Sequence, residues 1–319
     1  MKILRLLPFV LCFSSFLLTA EENTLSLSLT TDVAYHTKTY YEAGDSHFAA
    51  PDEPFRIIKA RTTFAASYKI PLLTGESPLF AGNNITFTGK VMLTPVSLAP
   101  TLSVTFSPAA FFDLEAGLDS GSGWNIGMLK GLRQYNPAKK TYDDITSFSA
   151  WYIQPYVKAT IKFDVGALWP GDWHHIVGLA SFGVGYQSLV GASQKIWEFQ
   201  TYAGHADGMV YAQYYVIGYQ MPIKLSMIAM TFDFTGHFFA SDYGEFADSF
   251  CGDFMTKEIG PMFEITLNKK NILYAGIFFL ARRSFKEEHT EEEVEPSLTY
   301  SGTEWLWDYS AVRWVHYFN

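Results

Sequence analysis

Residues 151–165 read WYIQPYVKATIKFDV, fifteen residues in unbroken alternation. The odd positions are Trp151, Ile153, Pro155, Val157, Ala159, Ile161, Phe163 and Val165, and all are apolar. The even positions are Tyr152, Gln154, Tyr156, Lys158, Thr160, Lys162 and Asp164, all polar or amphipathic. A strand sends successive side chains to opposite faces, so this segment has one apolar face and one polar face. A helix would scatter the same apolar residues around its axis. Ordinary strands run about five or six residues, so this one asks for an apolar layer far deeper than a sandwich core.

The same period recurs along the chain. Leu25, Leu27 and Leu29 alternate with Ser26, Ser28 and Thr30, and Ile58, Phe64, Tyr68 and Ile70 with Lys59, Arg61, Thr63 and Lys69. Lys90 sits between Phe87 and Val91; later, Met230, Phe232 and Phe234 oppose Thr231, Asp233 and His237. The pattern predicts strands near 24–40, 55–70, 84–96, 101–118, 123–133, 148–165, 174–188, 193–203, 208–220, 224–241, 255–268, 271–284 and 302–319, separated by turn signals such as Pro170-Gly171-Asp172 and Lys269-Lys270-Asn271. That makes thirteen, whereas single-chain bacterial barrels have an even number. Segment 123–133 is the weakest, because Trp124, Met128 and Leu132 also fit a short helix. The expected fold is an all-β, antiparallel up-and-down transmembrane β-barrel of twelve strands, with fourteen or ten as alternatives.

The rest of the sequence agrees with a barrel. Residues 1–20, MKILRLLPFVLCFSSFLLTA, have a basic start, an apolar run and a small residue at the end, which reads as a signal peptide cleaved after Ala20. Removing Lys2 and Arg5 from 23 basic residues leaves 21 against 32 acids, so the net charge moves from −9 to −11. Such acidity argues against nucleic-acid binding. The mature chain keeps one cysteine, Cys251, so no internal disulfide is available. No run of 18 apolar residues follows residue 20, which leaves a closed barrel as the way to cross a bilayer. Residues 21–319 are expected to form a single barrel domain, monomeric and in the cell outer membrane. Its partners would be outer-membrane lipid and the barrel-assembly machinery.

Orientation follows from connection length, since periplasmic turns are short and outer loops long. The tight LNKKNIL turn belongs to the periplasm; 241–255 and the acidic 285–301 belong outside. Trp169, Trp173, Trp305 and Trp307 fall near expected strand ends, where aromatic girdles form. The final strand ends RWVHYFN. Trp314 and Phe318 are the candidate assembly signal, although Phe318 is penultimate where such strands end on an aromatic residue.

Charges on the polar faces should meet a hydrated interior, because at the bilayer midplane each would cost about 2–4 kcal/mol. The candidate lumen-lining residues are Lys59, Arg61, Lys69, Lys90, Lys158, Lys162 and Arg282, with Asp164, Glu198, Asp233, Glu264 and His237. Seven bases against four acids leave +3, which reads either as pairing across strands or as a mild anion preference. No cofactor or metal motif stands out. His174 and His175 are adjacent, so a regular strand would point them to opposite faces. Asp233 and His237 are four residues apart, which at about 3.4 Å per residue separates their Cα atoms by roughly 13 Å. The acidic segment 286–296 reads as a solvated outer loop, with cation or basic-partner binding as the alternative.

The segments PAAFFDLEAGLDSGSGWNIG, ALWPGDWHHIV, YVIGYQMP and ARRSF, together with the last strand, resemble a family of outer-membrane β-barrel proteins of spirochaetes, of the treponemal kind. The resemblance covers nearly the whole mature chain. It implies an outer-membrane location and a porin-like or surface role, and it brings no catalytic residues. The expected function is a porin-like channel for passive passage of small polar solutes, not an enzyme. The alternatives are a structural or surface-interaction (adhesin-like) barrel with a filled lumen and, less favoured, an outer-membrane hydrolase.

Overall fold

A computed structural model describes residues 24–318 apart from 40, 41, 128, 201 and 289–295. The leader 1–20 with its cleavage site, most of the acidic segment 286–296 and Asn319 lie outside the described residues. In chain order the strands are β1 (Thr24–Thr39), β2 (His47–Ala49), β3 (Pro51–Pro71), β4 (Asn84–Thr94), β5 (Ser97–Ala109), β6 (Phe112–Gly123), β7 (Leu132–Asn136), β8 (Thr141–Asp144), β9 (Trp151–Asp164), β10 (His175–Val190), β11 (Ile196–Phe199), β12 (Tyr202–Ala206), β13 (Gly208–Gln220), β14 (Leu225–His237), β15 (Thr256–Asn268), β16 (Asn271–Phe285) and β17 (Tyr300–Tyr317).

Twelve of these, β1, β3–β6, β9, β10 and β13–β17, pair antiparallel with their neighbours. The sheet closes where β1 meets β17, from Ser28 opposite Tyr317 to His36 opposite Tyr309. Beyond His36, β1 leaves β17, and β2 takes its place, running parallel to Glu304–Leu306. Both ends of the described chain lie at one end of the barrel. The four longest connections, 124–150, 191–207, 238–255 and 286–299, lie at the other. Length does not sort the connections perfectly: the two-residue turn 95–96 is at the long-loop end, and 72–83 is at the terminus end.

The count of twelve matches expectation, but two segments were placed wrongly and one hairpin was missed. Segment 101–118 is two strands, with the turn at Ala110 and Phe111. Its turn carries no Gly or Asn, and the register shifts between Phe106 and Ala109 around Pro108, which has no N–H to give the ladder. Segments 123–133 and 193–203 are outside the barrel wall. Their ends supply β7 and β11, which pair with β8 and β12 as a separate four-stranded sheet in the order β12-β11-β7-β8. Pro155 is tolerated in the wall because β9 pairs with β10 on either side of it, at Tyr156 and Ile153, with a gap between.

Alternation decides which way each side chain points. Leu102, Val157, Ile161, Phe163 and Ile217 form part of an exposed outer face, while Asp32, Arg61, Ser103 and Thr160, of the opposite parity, are buried inside. Leu102 is 65% exposed at the middle of β5. In a bilayer, Leu102→Arg is expected to destabilise the barrel by about 2–4 kcal/mol. Leu168→Arg, in the 165–174 connection, should cost about 0–1 kcal/mol. Equilibrium unfolding of both variants in lipid vesicles measures the difference.

Candidate functional site: a two-sided lumen under an inserted sheet

The interior has two unlike walls. On β3–β6 and β9 most inward positions are hydroxyls and charges. Ser67 bonds Thr88 at 3.0 Å, and Thr101 and Ser107 donate to Asp119 and Asp113, each at 2.7 Å. Lys158 pairs with Glu115 at 3.0 Å and Lys162 with Asp113 at 2.8 Å. Tyr156 Oη also donates to Glu115, at 2.6 Å. Its ring lies over Gly117 directly opposite, where a Cβ would stand 2.5 Å from it, so glycine makes room for this bond. The four charged side chains of these pairs keep 18–28% of their surface accessible, so this wall stays wet.

The facing wall is apolar toward the terminus end. Val177, Val216, Met227, Ala229, Met262, Tyr274 and Val315 form one buried cluster. Between the two walls Asp32 of β1 accepts from Arg61 of β3 at 2.5 Å and from Arg313 of β17 at 2.6 Å. All three are at least nine-tenths buried. A buried carboxylate shared by two guanidiniums holds three strands in register, and removing it would strand two cations away from water.

The long-loop end is closed. The four-stranded sheet folds into the mouth, and Trp197 and Phe199 of β11 are fully buried against Ala99, Tyr152 and Leu189 of the wall. At its tip, Gln200 donates to Ser97 of β5, and Lys59 of β3 reaches the Gln200 carbonyl at 3.5 Å. Gln187 of β10 donates to the Ala206 carbonyl at 2.7 Å. Within the sheet Arg133 forks onto Glu198 with two bonds of 2.8 Å. The connection 238–255 forms a lid over this sheet: Tyr243 donates to the Gly204 carbonyl, and Tyr243 and Phe250 pack with Tyr135, Tyr142 and Phe285. Cys251 lies in this lid, where burial raises its thiol pKa above the usual value.

The expected lining residues distribute as follows. Lys59, Arg61, Lys69, Lys90, Lys158, Lys162 and Asp164 are on wall strands with inward parity, as are Asp233, His237, Glu264 and Arg282. Glu198 is not a wall residue; it belongs to the inserted sheet, because 193–203 is not a barrel strand. Arg282 is tied to Glu304, with Nε at 2.7 Å. Glu264 accepts from Ser226 at 2.7 Å. His237 and Asp233 do not meet: His237 Nδ1 lies 2.8 Å from Asp242 of the lid, and its other ring nitrogen 3.1 Å from Gln187. His175 pairs with Asp164 at 2.8 Å, while His174 turns to the Pro170 carbonyl and the Trp169 ring. No serine, threonine or cysteine among the described residues bonds the rings of His175 or His237.

The interior is charge-balanced, which corrects the excess of +3. Asp32, Asp113, Glu115, Asp119, Glu258 and Glu304 join the four acids, and Arg133 and Arg313 join the seven bases, giving nine against ten among the described residues. The missed acids were legible by parity: Asp113, Glu115 and Asp119 alternate with Leu114 and Leu118. The unseen turn at 110–111 hid that pattern.

Aromatic residues ring both ends. Trp169 and Trp173 are exposed in the 165–174 connection, and Tyr219 donates to the Trp173 carbonyl at 2.8 Å. Trp305 and Trp307 lie within β17 toward the long-loop end, not before the last strand. Trp314 donates to Asn271 at 3.1 Å, and Phe318 is exposed beside His316.

These features define a twelve-stranded β-barrel with a partly wet, loop-capped lumen. No family model and no curated protein matches the chain. Among solved structures, an outer membrane channel from Pseudomonas putida F1 is similar with a TM-score of 0.49 and 9% identity, over 92% of this chain and 95% of that one. The outer membrane channel DcaP of Acinetobacter baumannii has a TM-score of 0.38 and 8% identity, over 93% and 97%. Outer membrane phospholipase A from Escherichia coli has 0.33 and 10%, over 93% and 96%. None of these likenesses decides between a channel and an enzyme.

Replacing Asp32 by Asn removes the buried carboxylate charge that Arg61 and Arg313 share. The expected loss is about 3–5 kcal/mol, read as a lowered unfolding midpoint of the refolded barrel.

Proposed function

We propose that this chain is an outer-membrane barrel that passes small polar solutes along one wall of its lumen, and that the inserted sheet is the stopper of that path. The carrying observation is the one-sided wetness of the interior. Accessible Lys–acid pairs line β6 and β9, the opposite wall is packed with apolar side chains, and the tip of the sheet sits over the outer end of the polar wall at Ser97 and Lys59.

Location rests on physical grounds. The outward face is a continuous apolar surface, larger than water-soluble proteins expose, and aromatic residues flank it at both ends. No helix among the described residues is long and apolar enough to cross a membrane, so strands do the crossing. The leader-like residues 1–20 and the spirochaete resemblance of the strand ends support export. With both termini at one end and the longest loops at the other, the terminus end faces the periplasm.

The packed mouth favours a second reading, a closed barrel that presents its loops as a binding surface, and one experiment separates the two. In planar bilayers the intact barrel is expected to conduct little, and deletion of residues 196–206 to open long-lived single-channel steps. A deletion variant that folds, judged by β-sheet circular dichroism, yet never conducts would overturn the channel reading. In the opened variant, Lys158→Glu with Lys162→Glu would leave Asp113 and Glu115 without their lysine counter-charges. The reversal potential under a salt gradient should then move toward cation selectivity. An unmoved potential would place the path elsewhere.

A further inference from the structure

At the long-loop mouth a half-open cavity lies where wall, inserted sheet and lid meet. It is lined by Thr235, Thr256 and Arg283 of the wall, Gly204 of the sheet, and Tyr243 and Phe254 of the lid, among others. β14 ends at His237 and β15 begins at Thr256, so the lid joins these two strands here, and Arg283 of β16 lines the same cavity.

Arg283, of opposite parity to Arg282 on β16, differs from the arginines of the interior. Asp32 serves Arg61 and Arg313, Glu304 serves Arg282, and Glu198 serves Arg133. Arg283 has no carboxylate within 4 Å among the described residues. Its Nε and Nη2 donate to the Cys251 carbonyl at 3.1 Å each, and Nη2 to the Gly252 carbonyl at 3.5 Å. Among the described residues, neither proton of Nη1 has an acceptor. Its flat face is covered by Phe250, at 3.8 Å to the ring centroid, with Phe254 at 5.1 Å and Tyr243 at 5.9 Å. Thr235 and Thr256, opposite each other at the end of the β14–β15 ladder, have no side-chain hydrogen bond among the described residues. The lining therefore holds a guanidinium, free hydroxyls and aromatic rings, and no carboxylate.

We propose that this cavity binds a small organic carboxylate. With Nε and Nη2 held by the Cys251 and Gly252 carbonyls, the Nη1 amino group offers its two N–H donors, and the guanidinium its charge, to a carboxylate. Tyr243 and Phe254 supply apolar contact for the body of the ligand. Among the described lining residues one guanidinium faces no carboxylate, which calls for a single negative charge. Gly204 and Tyr243 bring the sheet and the lid into the same lining, so an occupant touches both elements that close the mouth.

The test uses the full mature chain refolded in nanodiscs, with benzoate as probe and benzamide as its uncharged counterpart, by titration calorimetry against empty nanodiscs. Benzoate is expected to bind saturably and benzamide at least about tenfold more weakly. Arg283→Gln should weaken benzoate by a similar factor and leave benzamide unchanged; Arg283→Lys should fall between. Equal affinity for the two probes, or no saturable benzoate binding by the wild-type chain, overturns the proposal. So does benzoate binding within twofold of wild type in a folded Arg283→Gln variant. The comparison of probes on the wild-type chain stands even if that variant fails to fold. Binding is read without current, so a barrel that never conducts can still pass or fail this test.

Discussion

Pairing of every backbone N–H and C=O between strands is the condition on which the rest of this molecule depends. A sheet exposing an apolar outer face to lipid cannot leave an open edge, because an unpaired group in hydrocarbon costs several kcal/mol. The first and last strands must therefore meet, and they do so over nine residue pairs, Ser28–His36 against Tyr309–Tyr317. Closure then sets the remaining problem. Twelve strands enclose more space than one layer of side chains fills. The chain packs apolar residues along one wall and closes the mouth with its own loops.

The wall was largely legible because its signal is redundant. Alternation over 151–165 fixes which residues face out, and the same parity places Lys158, Lys162 and Thr160 inside. Elements that do not span lipid carry no such constraint. Trp197 and Phe199 share a parity with Ile196's neighbours on a four-residue strand that is buried on both faces, so nothing in IWEF distinguishes a stopper from a wall strand. The turn at 110–111 was invisible for a related reason. Ala109, Ala110 and Phe111 are apolar and continue the hydrophobic texture on either side, and no glycine or asparagine marks the reversal.

The interior shows why counting charges is weaker than knowing partners. The excess of bases disappears once parity brings in Asp113, Glu115 and Asp119, and most of the charges then sit in named pairs. Arg283 became visible only in three dimensions. In sequence it is one of two adjacent arginines, yet Arg282 is held by Glu304 while Arg283 lies among rings beneath the lid.

The shared carboxylate of Asp32 also bears on the order of assembly. Asp32 lies on the first strand, Arg61 on its neighbour and Arg313 on the last. The Asp32–Arg61 half can form as soon as the first hairpin does, but the Asp32–Arg313 half forms only when the ends of the sheet join. An unclosed sheet therefore lacks that buried pair. The seam is thus favoured by electrostatics as well as by its ladder, and the charge balance of the lumen is completed at the final strand contact.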